Sequence, residues 1–421
     1  MKRSRQKTKV IPYSLLLLPL FLLLVNSCRK TEYRTVDSPA YIRIFNSLNI
    51  PVNVVNKDDP ASFLCLFIDP EFDENGHPIG GLMEGDFLDV RARYASPNPT
   101  HVGVSNSPYN PEFPGKELYP TAPILNGYDL TNWAQISSGK RRFLFMHRPR
   151  NTEPFAELNP NMVSVCIDTT INLAEGEIYT MHVLLENFEK KTTTLYARQE
   201  SFHKQPFADT AAYVNFYNLS SEGFWSSPYK GIGDRGTSME AGIPDIVNVF
   251  FSHVSTTENE NGQEVHAYIP GYTKNYIGTL TRDLSGTRVT PYYGFPIFMR
   301  EGETIHTKSW QFLQFFSPSM RGLEQSFRQG NTNYPPRVDI RQHYNFYNEY
   351  VYLELTDNPR PESNVNMRTP VERLTLPNLL LNVHSGRNNP QTFGSVSSIE
   401  YINGFVYLTT IQRTFPAPIY E

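Results

Sequence analysis

The segment AYIRIFN at residues 40–46 returns as AYVNFYN at residues 212–218. Each copy is a short run of β-branched and aromatic residues that ends in asparagine, which is typical of a β-strand followed by a turn. We therefore predict that the chain contains two copies of one β-rich unit, and that each copy begins with this strand.

Three further landmarks follow each copy in the same order. An Ile-Pro pair precedes VNV at residues 52–54 and at 247–249, and an Asn-Gly pair marks a hairpin turn in FDENGHP and in NENGQEV. Such tight turns require positive φ at both central residues. EGE then precedes an apolar strand at residues 175–177 and at 301–303. The conserved order predicts two related antiparallel sandwiches.

Short aromatic runs bounded by Gly, Pro, Asn or Asp dominate the rest of the chain, and many such runs at close intervals favour a sandwich. Long helical periodicity is absent, and SMRGLEQSFRQ at 319–329 could form only a few turns. The predicted fold class is all-β, with tandem antiparallel, immunoglobulin-like β-sandwich domains behind a lipoprotein signal peptide. The strand predictions are AYIRIF (40–45), RRFLFM (141–146), IYTMHVLL (178–185), AYVNFYN (212–218), NVFFSHV (248–254) and GFVYLTTIQ (404–412).

The N-terminus has the pattern of an export signal. MKRSRQKTK carries five basic residues and no acidic one, and SLLLLPLFLLLV follows at residues 14–25. The apolar run is shorter than the roughly 20 residues of a membrane-spanning helix. Ser27 directly before Cys28 resembles the lipobox of bacterial lipoproteins, so we predict that Cys28 is acylated and tethers the mature chain to a membrane; the alternative is an unmodified thiol.

Charge and cysteine content exclude other classes. Removing residues 1–27 removes five of the 38 basic residues and none of the 42 acidic ones, which leaves a formal charge of −9. We therefore expect no nucleic-acid partner, because nucleic acids bind basic surfaces. Cys65 and Cys166 lie in apolar runs and are expected to be free thiols, with a disulfide as the alternative. Two thiols cannot form a structural zinc site, and we predict no metal and no cofactor.

The predicted domain organisation follows from the repeat. The boundaries are 1–27 for the signal peptide, 28–37 for a lipid-anchored linker, 38–208 for sandwich domain 1 and 209–421 for sandwich domain 2 with a C-terminal elaboration or a subdomain from about 335.

The residues also carry a family resemblance. AYIRIFNSLNIPVNV, INLAEGEIYTMHVLLE and ADTAAYVNFYNLS resemble the tandem module called domain of unknown function 4397, found in envelope lipoproteins of Bacteroidota. The segment 78–139 is an insertion relative to that pattern. The resemblance implies a β-sandwich on an envelope lipoprotein without established catalytic residues. Because Arg29 follows Cys28, it also implies the outer membrane, on the periplasmic face or the cell surface.

Two motifs that suggest ligand chemistry fail in their context. Gly231, Gly233 and Gly236 spell the dinucleotide fingerprint G-x-G-x-x-G, but Pro244 follows too soon for the required helix. The segment 219–243 is instead an inserted loop. EFDENG at 71–76 resembles the start of a calcium loop, but Leu82 occupies the position that requires a glutamate.

We predict no catalytic residues. The chain has no G-x-S-x-G and no H-E-x-x-H motif, although a triad is defined by geometry and can lack a motif. A hydrolase ranks below the non-catalytic readings.

The candidate ligand-binding residues are aromatic and basic. Trp225 with Tyr229 and Trp133 with Tyr128 lie among Gly, Asn and Ser in loop-like sequence, where exposed rings can stack on sugars. The alternative is that these rings belong to the core. Arg141 and Arg142 belong to the basic run GKRRFLFMHRPR, which suits an anionic glycan or, alternatively, a strand with solvated ends.

These observations predict an outer-membrane-anchored lipoprotein that acts as a non-catalytic binding or adhesion module for glycans. The alternative is a structural component of an envelope or surface assembly. The expected partners are the membrane, through the lipid anchor, and a glycan or an envelope protein.

Overall fold

The structure is a computed structural model. It describes residues 36–48, 59–91, 109–115, 117–208, 211–224, 226–227, 245–258, 260–262, 264–273, 275–288, 290–296, 299–301, 304–306, 309–316, 352–356, 378–382, 384–385, 391–392, 395–403 and 405–412. Within these ranges, no helix has the length and apolar character needed to cross a membrane. The signal peptide, Cys28 and the segments 52–54 and 319–329 lie outside the described residues.

The first half of the chain forms eleven strands in the described ranges, together with three single turns of 3-10 helix at Phe155–Glu157, Pro160–Met162 and Phe202–Lys204. The strands are β1 (Pro39–Asn46), β2 (Leu64–Phe72), β3 (Pro78–Leu88), β4 (Glu112–Phe113), β5 (Ile124–Leu125), β6 (Tyr128–Asp129), β7 (Ala134–Ser137), β8 (Gly139–His147), β9 (Ser164–Leu173), β10 (Ile178–Asn187) and β11 (Thr192–Gln199).

The second half adds the remaining described strands. They are β12 (Ala211–Asn218), β13 (Ile246–Glu258), β14 (Glu264–Tyr268), β15 (Asn275–Thr281), β16 (Tyr293–Pro296), β17 (Met299–Glu301), β18 (Thr304–His306), β19 (Ser309–Phe316), β20 (Tyr352–Thr356), β21 (Asn378–Asn382), β22 (His384–Ser385), β23 (Gln391–Thr392), β24 (Ser395–Ile402) and β25 (Phe405–Gln412). The protein is therefore all-β, and all six strand predictions fall on β1, β8, β10, β12, β13 and β25.

The first sandwich consists of two sheets. One has the order β11-β10-β1, with β4 and β7 both on the free edge of β1, and is named inner sheet 1. The other has the order β3-β2-β8-β9 and is named outer sheet 1. Alternate residues face the space between them: Ile42 and Ile44 of inner sheet 1 share one buried cluster with Leu66 and Phe145 of outer sheet 1. The period of two in these strands thus builds the core.

The second sandwich repeats this topology. Inner sheet 2 has the order β25-β24-β12-β16, and outer sheet 2 has the order β14-β13-β19-β21-β20 with β15 also on β13. The first strand of each half pairs in parallel with a late strand, β1 with β10 and β12 with β24. Each half also joins its second and third strands in a hairpin, β2 with β3 and β13 with β14. The internal repeat is therefore present in the strand order, although its sheets are mixed rather than purely antiparallel.

The EGE landmark does not mark equivalent positions. In the first half it leads into β10, whereas Glu301 and Thr304 belong to the separate hairpin of β17 and β18. The counterpart of β10 is β24, which begins at Ser395. Since β20, β21, β24 and β25 complete the sheets of the second sandwich, these strands after residue 335 do not form a separate subdomain. All pairing between named strands stays on one side of the predicted 208/209 boundary.

The two Asn-Gly turns do connect hairpins, but with a different geometry from the one predicted. Only the glycine adopts positive φ at each turn, with values of 79° at Gly76 and 72° at Gly262. In the first turn, the Asp73 carboxylate accepts hydrogen bonds from the backbone N–H of Asn75 and His77. The Asp side chain therefore stabilises a five-residue connection instead of a two-residue turn.

The two inner sheets pack against each other, so the sandwiches lie face to face and form the layer order outer 1, inner 1, inner 2, outer 2. Tyr41 and Ile178 of inner sheet 1 share a buried cluster with Val396 of inner sheet 2. Leu184 shares a second cluster with Ile402. Residues 36–421 accordingly form one compact unit. Independent folding of the two halves stays a prediction.

The strand directions give this unit two distinct ends. The chain enters beside the first residues of β1, where Val36 donates to Gln135. We call this the near end. The far end contains the last residues of β1 and β10, where Asn46 binds the carbonyl of Leu88 and Asn187 pairs with Glu222.

The cysteines are free thiols, as expected. Cys65 is buried and Cys166 is partly buried. Burial raises the pKa of both thiols, that of Cys166 to about 11.

Candidate functional site

Two of the predicted ligand-binding rings lie in the core. Tyr128 is 4% exposed and Trp133 is 1% exposed. Asn126 and Gly127 form the turn between β5 and β6, and this hairpin places Tyr128 edge-on against Phe202. The prediction that Tyr128 and Trp133 form an exposed sugar-binding surface is therefore wrong, because the loop-like sequence around them folds back onto inner sheet 1.

The other predicted aromatic pair, Trp225 and Tyr229, lies outside the described residues, as does the glycine motif at 231–236. Their placement at a binding surface stays a prediction.

The predicted basic site does not present free charges. Arg141 binds Asp69 at 2.8 Å, and Arg142 donates two hydrogen bonds to Asp168. The other two arginines of the run are also paired, Arg148 with Asp86 and Arg150 with Asp89. Because each guanidinium already faces a carboxylate, the run does not form the concentrated positive field that an anionic glycan would need.

The acidic hairpin turn is used for structure. One carboxylate oxygen of Asp73 accepts hydrogen bonds from two backbone amides of its own turn. Among the residues that the structure describes, no group of three or more His, Cys, Asp or Glu side chains is arranged to hold a metal ion.

The most unusual group of polar side chains is one that the sequence reading missed. Between the two inner sheets lies a buried polar layer, and each of its members is at most 7% exposed. Its members are Arg43, Arg91, Glu112, Thr180, His182, Arg198, Glu200, Asn215, Ser398, Glu400 and Thr409.

The strand registers explain why these side chains meet. In β1 and β10 the residues facing inner sheet 2 alternate with the core residues, so Arg43 stands beside Thr180, and Thr180 beside Arg198 of β11. The same alternation in β24 sends Ser398 and Glu400 towards inner sheet 1, between the apolar contacts of Val396 and Ile402. The polar layer is thus enclosed by apolar clusters at both ends.

Glu400 is the centre of this layer. One of its carboxylate oxygens lies 2.7 Å from Arg91 Nη1, and the other accepts a hydrogen bond of 2.9 Å from Arg198 Nη2. His182 Nε2 lies 3.4 Å from the second oxygen. All three partners belong to the first sandwich, so a single carboxylate of the second sandwich connects the two halves.

Further contacts complete the ion pairs. Arg198 also donates to Glu200, and Arg43 donates to Glu112 at 3.0 Å. Arg91 additionally donates to Thr409. Three arginines thus face three glutamates, which balances the charge of the layer when His182 is neutral.

Aromatic rings take the place of water around the guanidinium groups. The Arg91 guanidinium carbon lies 4.1 Å from the ring centroid of Phe45 and 4.4 Å from that of Tyr407. Arg198 lies 4.0 Å from the centroid of Tyr217. Cation–π contacts at desolvated positions are favourable by about 2 kcal/mol, so they offset part of the cost of burying these charges.

The surroundings of Glu400 and His182 lower the pKa values of both groups. Burial alone would raise the pKa of Glu400, but the charged guanidinium groups of Arg198 and Arg91 outweigh it and hold that pKa well below the ordinary 4.5. Burial lowers the pKa of His182 below 6.5, although Glu400 opposes the shift. The closed layer therefore favours ionised Glu400 and neutral His182.

Ser47, His182 and Glu400 form a chain that resembles a hydrolytic triad. Ser47 Oγ lies 3.1 Å from His182 Nδ1, and the opposite ring nitrogen faces Glu400. Ser47, His182 and Glu400 are each 0% exposed, and the two arginines already occupy the carboxylate. A nucleophile must reach its substrate, so this arrangement suits a structural connection rather than catalysis.

Comparisons with known proteins add little. No family model matches the chain, and no curated protein matches it. A solved structure of a "putative cell adhesion protein" from Bacteroides uniformis ATCC 8492 aligns with 90% of this chain and 100% of its own, with 8% sequence identity and a TM-score of 0.15. A TM-score of this size supports no inference about fold or function.

Proposed function

We propose that the protein is an envelope-anchored, non-catalytic adhesion or binding module. The lipobox-like Cys28 provides the anchor in this proposal, and the outer membrane is the proposed location. The folded part is a tandem β-sandwich that the Glu400 contacts hold together as one body.

The observation that carries the proposal is the separation between the two ends of the unit. The chain enters at the near end, where Val36 hydrogen-bonds to Gln135. Described residues near the segments 49–58, 92–108 and 228–244 lie at the far end, as the contacts of Arg91 with Asn46, of Asp59 with Lys191 and of Glu222 with Asn187 indicate. Loops at the end of a rigid sandwich are the usual place for binding residues. A membrane anchor that joins the unit at the near end would leave the far end pointing away from the membrane.

A structural role in an envelope assembly is the second candidate. It is favoured by the edge strand β3, which among the described strands of outer sheet 1 pairs only with β2. Ile79 and Leu82 on β3 are 67% and 49% exposed. An exposed edge with apolar side chains is suited to pairing with another chain.

Three experiments test these proposals. Membrane fractionation of the full chain and of Cys28→Ser tests the anchor: the variant should move to the soluble fraction, and retention after a high-salt wash would argue against lipidation.

A glycan array probed with residues 29–421 tests the binding role. Co-purification from membranes with Leu82→Lys as a variant tests the assembly role, because the charge should remove an edge-strand partner while glycan binding stays.

A further inference from the structure

One part of the buried polar layer contains hydrogen-bond donors without acceptors. Arg43 Nη1, Trp133 Nε1 and Thr180 Oγ1 are all buried, and none has a hydrogen-bond partner within the described ranges. Arg43 Nε donates to one oxygen of Glu112 at 3.0 Å, and Nη2 lies 2.9 Å from the same oxygen without forming a hydrogen bond. Buried donors without acceptors are rare in native proteins and point to a bound water molecule or ion.

These donors are neighbours on one face of inner sheet 1. Arg43 and Thr180 are register partners across β1 and β10. The guanidinium carbon of Arg43 lies 4.9 Å from the ring centroid of Trp133. On the other side of Thr180 stands Arg198, whose Nη1 also lacks an acceptor among the described residues. Arg43 and Arg198 therefore stand on the two sides of Thr180, with Trp133 next to Arg43.

The facing sheet contributes Ser398, which lies on β24 between Val396, a member of one buried cluster with Ile178, and Glu400, which lies near His182. The Ser398 hydroxyl donates to Asn215 Oδ1 at 2.6 Å, so that acceptor is already used.

We propose that a small monovalent anion, with chloride as the type, binds beside Thr180 and is held by the donors of Arg43, Thr180 and Trp133. A halide ion can accept hydrogen bonds from all three donors at once, whereas the oxygen of a water molecule accepts only two.

The first test is crystallographic and uses the full folded unit. Crystals of residues 29–421 grown in sodium bromide should show an anomalous peak within about 3.5 Å of Arg43 Nη1 and Thr180 Oγ1, a distance typical of charge-assisted contacts to a large anion. An ordered water molecule there without anomalous signal would overturn the proposal.

The second test is thermal unfolding in sodium bromide against sodium gluconate at equal ionic strength, because gluconate is too large for the space. A bound halide should raise the Tm of the wild type by a few degrees in a saturable manner. Thr180→Val, which keeps the shape and removes the donor, should lose this response. Thr170→Val on exposed β9 is the matched control and should keep it. The proposal would be contradicted if bromide did not raise the Tm of the wild type. It would also be contradicted if Thr180→Val unfolded cooperatively and its Tm rose with bromide as much as that of the wild type.

Discussion

Arg91 and Glu400 are separated by 309 positions in the chain, yet they form an ion pair of 2.7 Å whose two side chains are buried between the sandwiches. Arg91 lies in the connection after β3, and Glu400 lies in the second half of β24. Breaking a buried ion pair on one side leaves an uncompensated charge, which costs about 3–5 kcal/mol. The pair therefore links the stability of one half to the presence of the other.

The polar layer should make the protein sensitive to acid. The folded state keeps His182 neutral with its pKa below 6.5, and keeps Glu400 ionised with its pKa well below 4.5. In both cases the unfolded state binds more protons as the pH falls, so the free energy of unfolding should decrease below about pH 6.5 and decrease further below about pH 4.5. Urea unfolding between pH 8 and pH 4 measures this slope. His182→Gln should flatten the upper part, and an unchanged slope in that variant would contradict the assignment.

The structure places Trp133 in the core, and truncation of its side chain tests this burial. Trp133→Ala should reduce the free energy of unfolding by about 3–5 kcal/mol, because the ring is buried between Arg43 and the apolar cluster around Tyr128. Chemical denaturation measures the loss. Ile79→Ala, at a 67% exposed position, serves as the control and should change stability by less than about 0.5 kcal/mol. A near-neutral Trp133→Ala would restore the reading of Trp133 as an exposed ring.

Gly286 is predicted to be essential for contact between the halves. A Cβ at this position would lie 2.3 Å from the carbonyl oxygen of Ala197 on β11, whereas a Cβ at Gly271 would meet no atom within 4 Å. Both glycines have positive φ, 70° at Gly286 and 81° at Gly271. Gly271→Ala therefore measures backbone strain alone, and Gly286→Ala should lower Tm clearly more. Equal effects of the two substitutions would show that Gly286 makes no close approach.

Each half is predicted to fold on its own, with a lower thermal stability than in the full chain. Residues 209–421 alone should show a cooperative thermal transition, because all of their named strands pair among themselves. The transition should occur at a lower temperature than in the full chain, since Tyr217, Ile402 and Tyr407 would lose their cover and Glu400 its partners. Circular dichroism on both proteins measures the difference. Absence of cooperative unfolding in either half alone would mean that the repeat is one intertwined domain.

Local signals predicted the strands but not the interface. Alternating apolar residues and turn residues correctly placed β1, β8, β10 and β12, because side-chain period and turn chemistry are local properties. The prediction that EGE marks equivalent positions was wrong. A motif of three residues can precede many different strands, so it does not indicate which strands pair. The strands β20 and β21 could be assigned to the second sandwich only from their pairing with β19 and with each other.

The buried charges were missed for a physical reason. On β1, the residues that alternate with the core residues are Tyr41, Arg43 and Phe45. From the sequence alone, this pattern predicts a strand face that is partly exposed to solvent. The three residues are buried because a second sheet covers that face, and no local pattern encodes the covering sheet. A usable signal was Glu400 within SSIEYI, since a single acid in an apolar strand needs a cationic partner when it is buried.

Glu400 joins the two sandwiches through Arg91 and Arg198. This connection can be measured with a double-mutant cycle of Arg91→Met and Glu400→Gln, using the free energies of unfolding in urea. The same cycle on the exposed pair Arg142 and Asp168 serves as the control and should give less than about 1 kcal/mol of coupling. We predict that each interface substitution alone destabilises by about 3–5 kcal/mol and that the double variant loses much less than the sum, with coupling of about 2 kcal/mol or more. Additive losses, with coupling no larger than that of the exposed pair, would show that the pair of Arg91 and Glu400 does not join the two sandwiches.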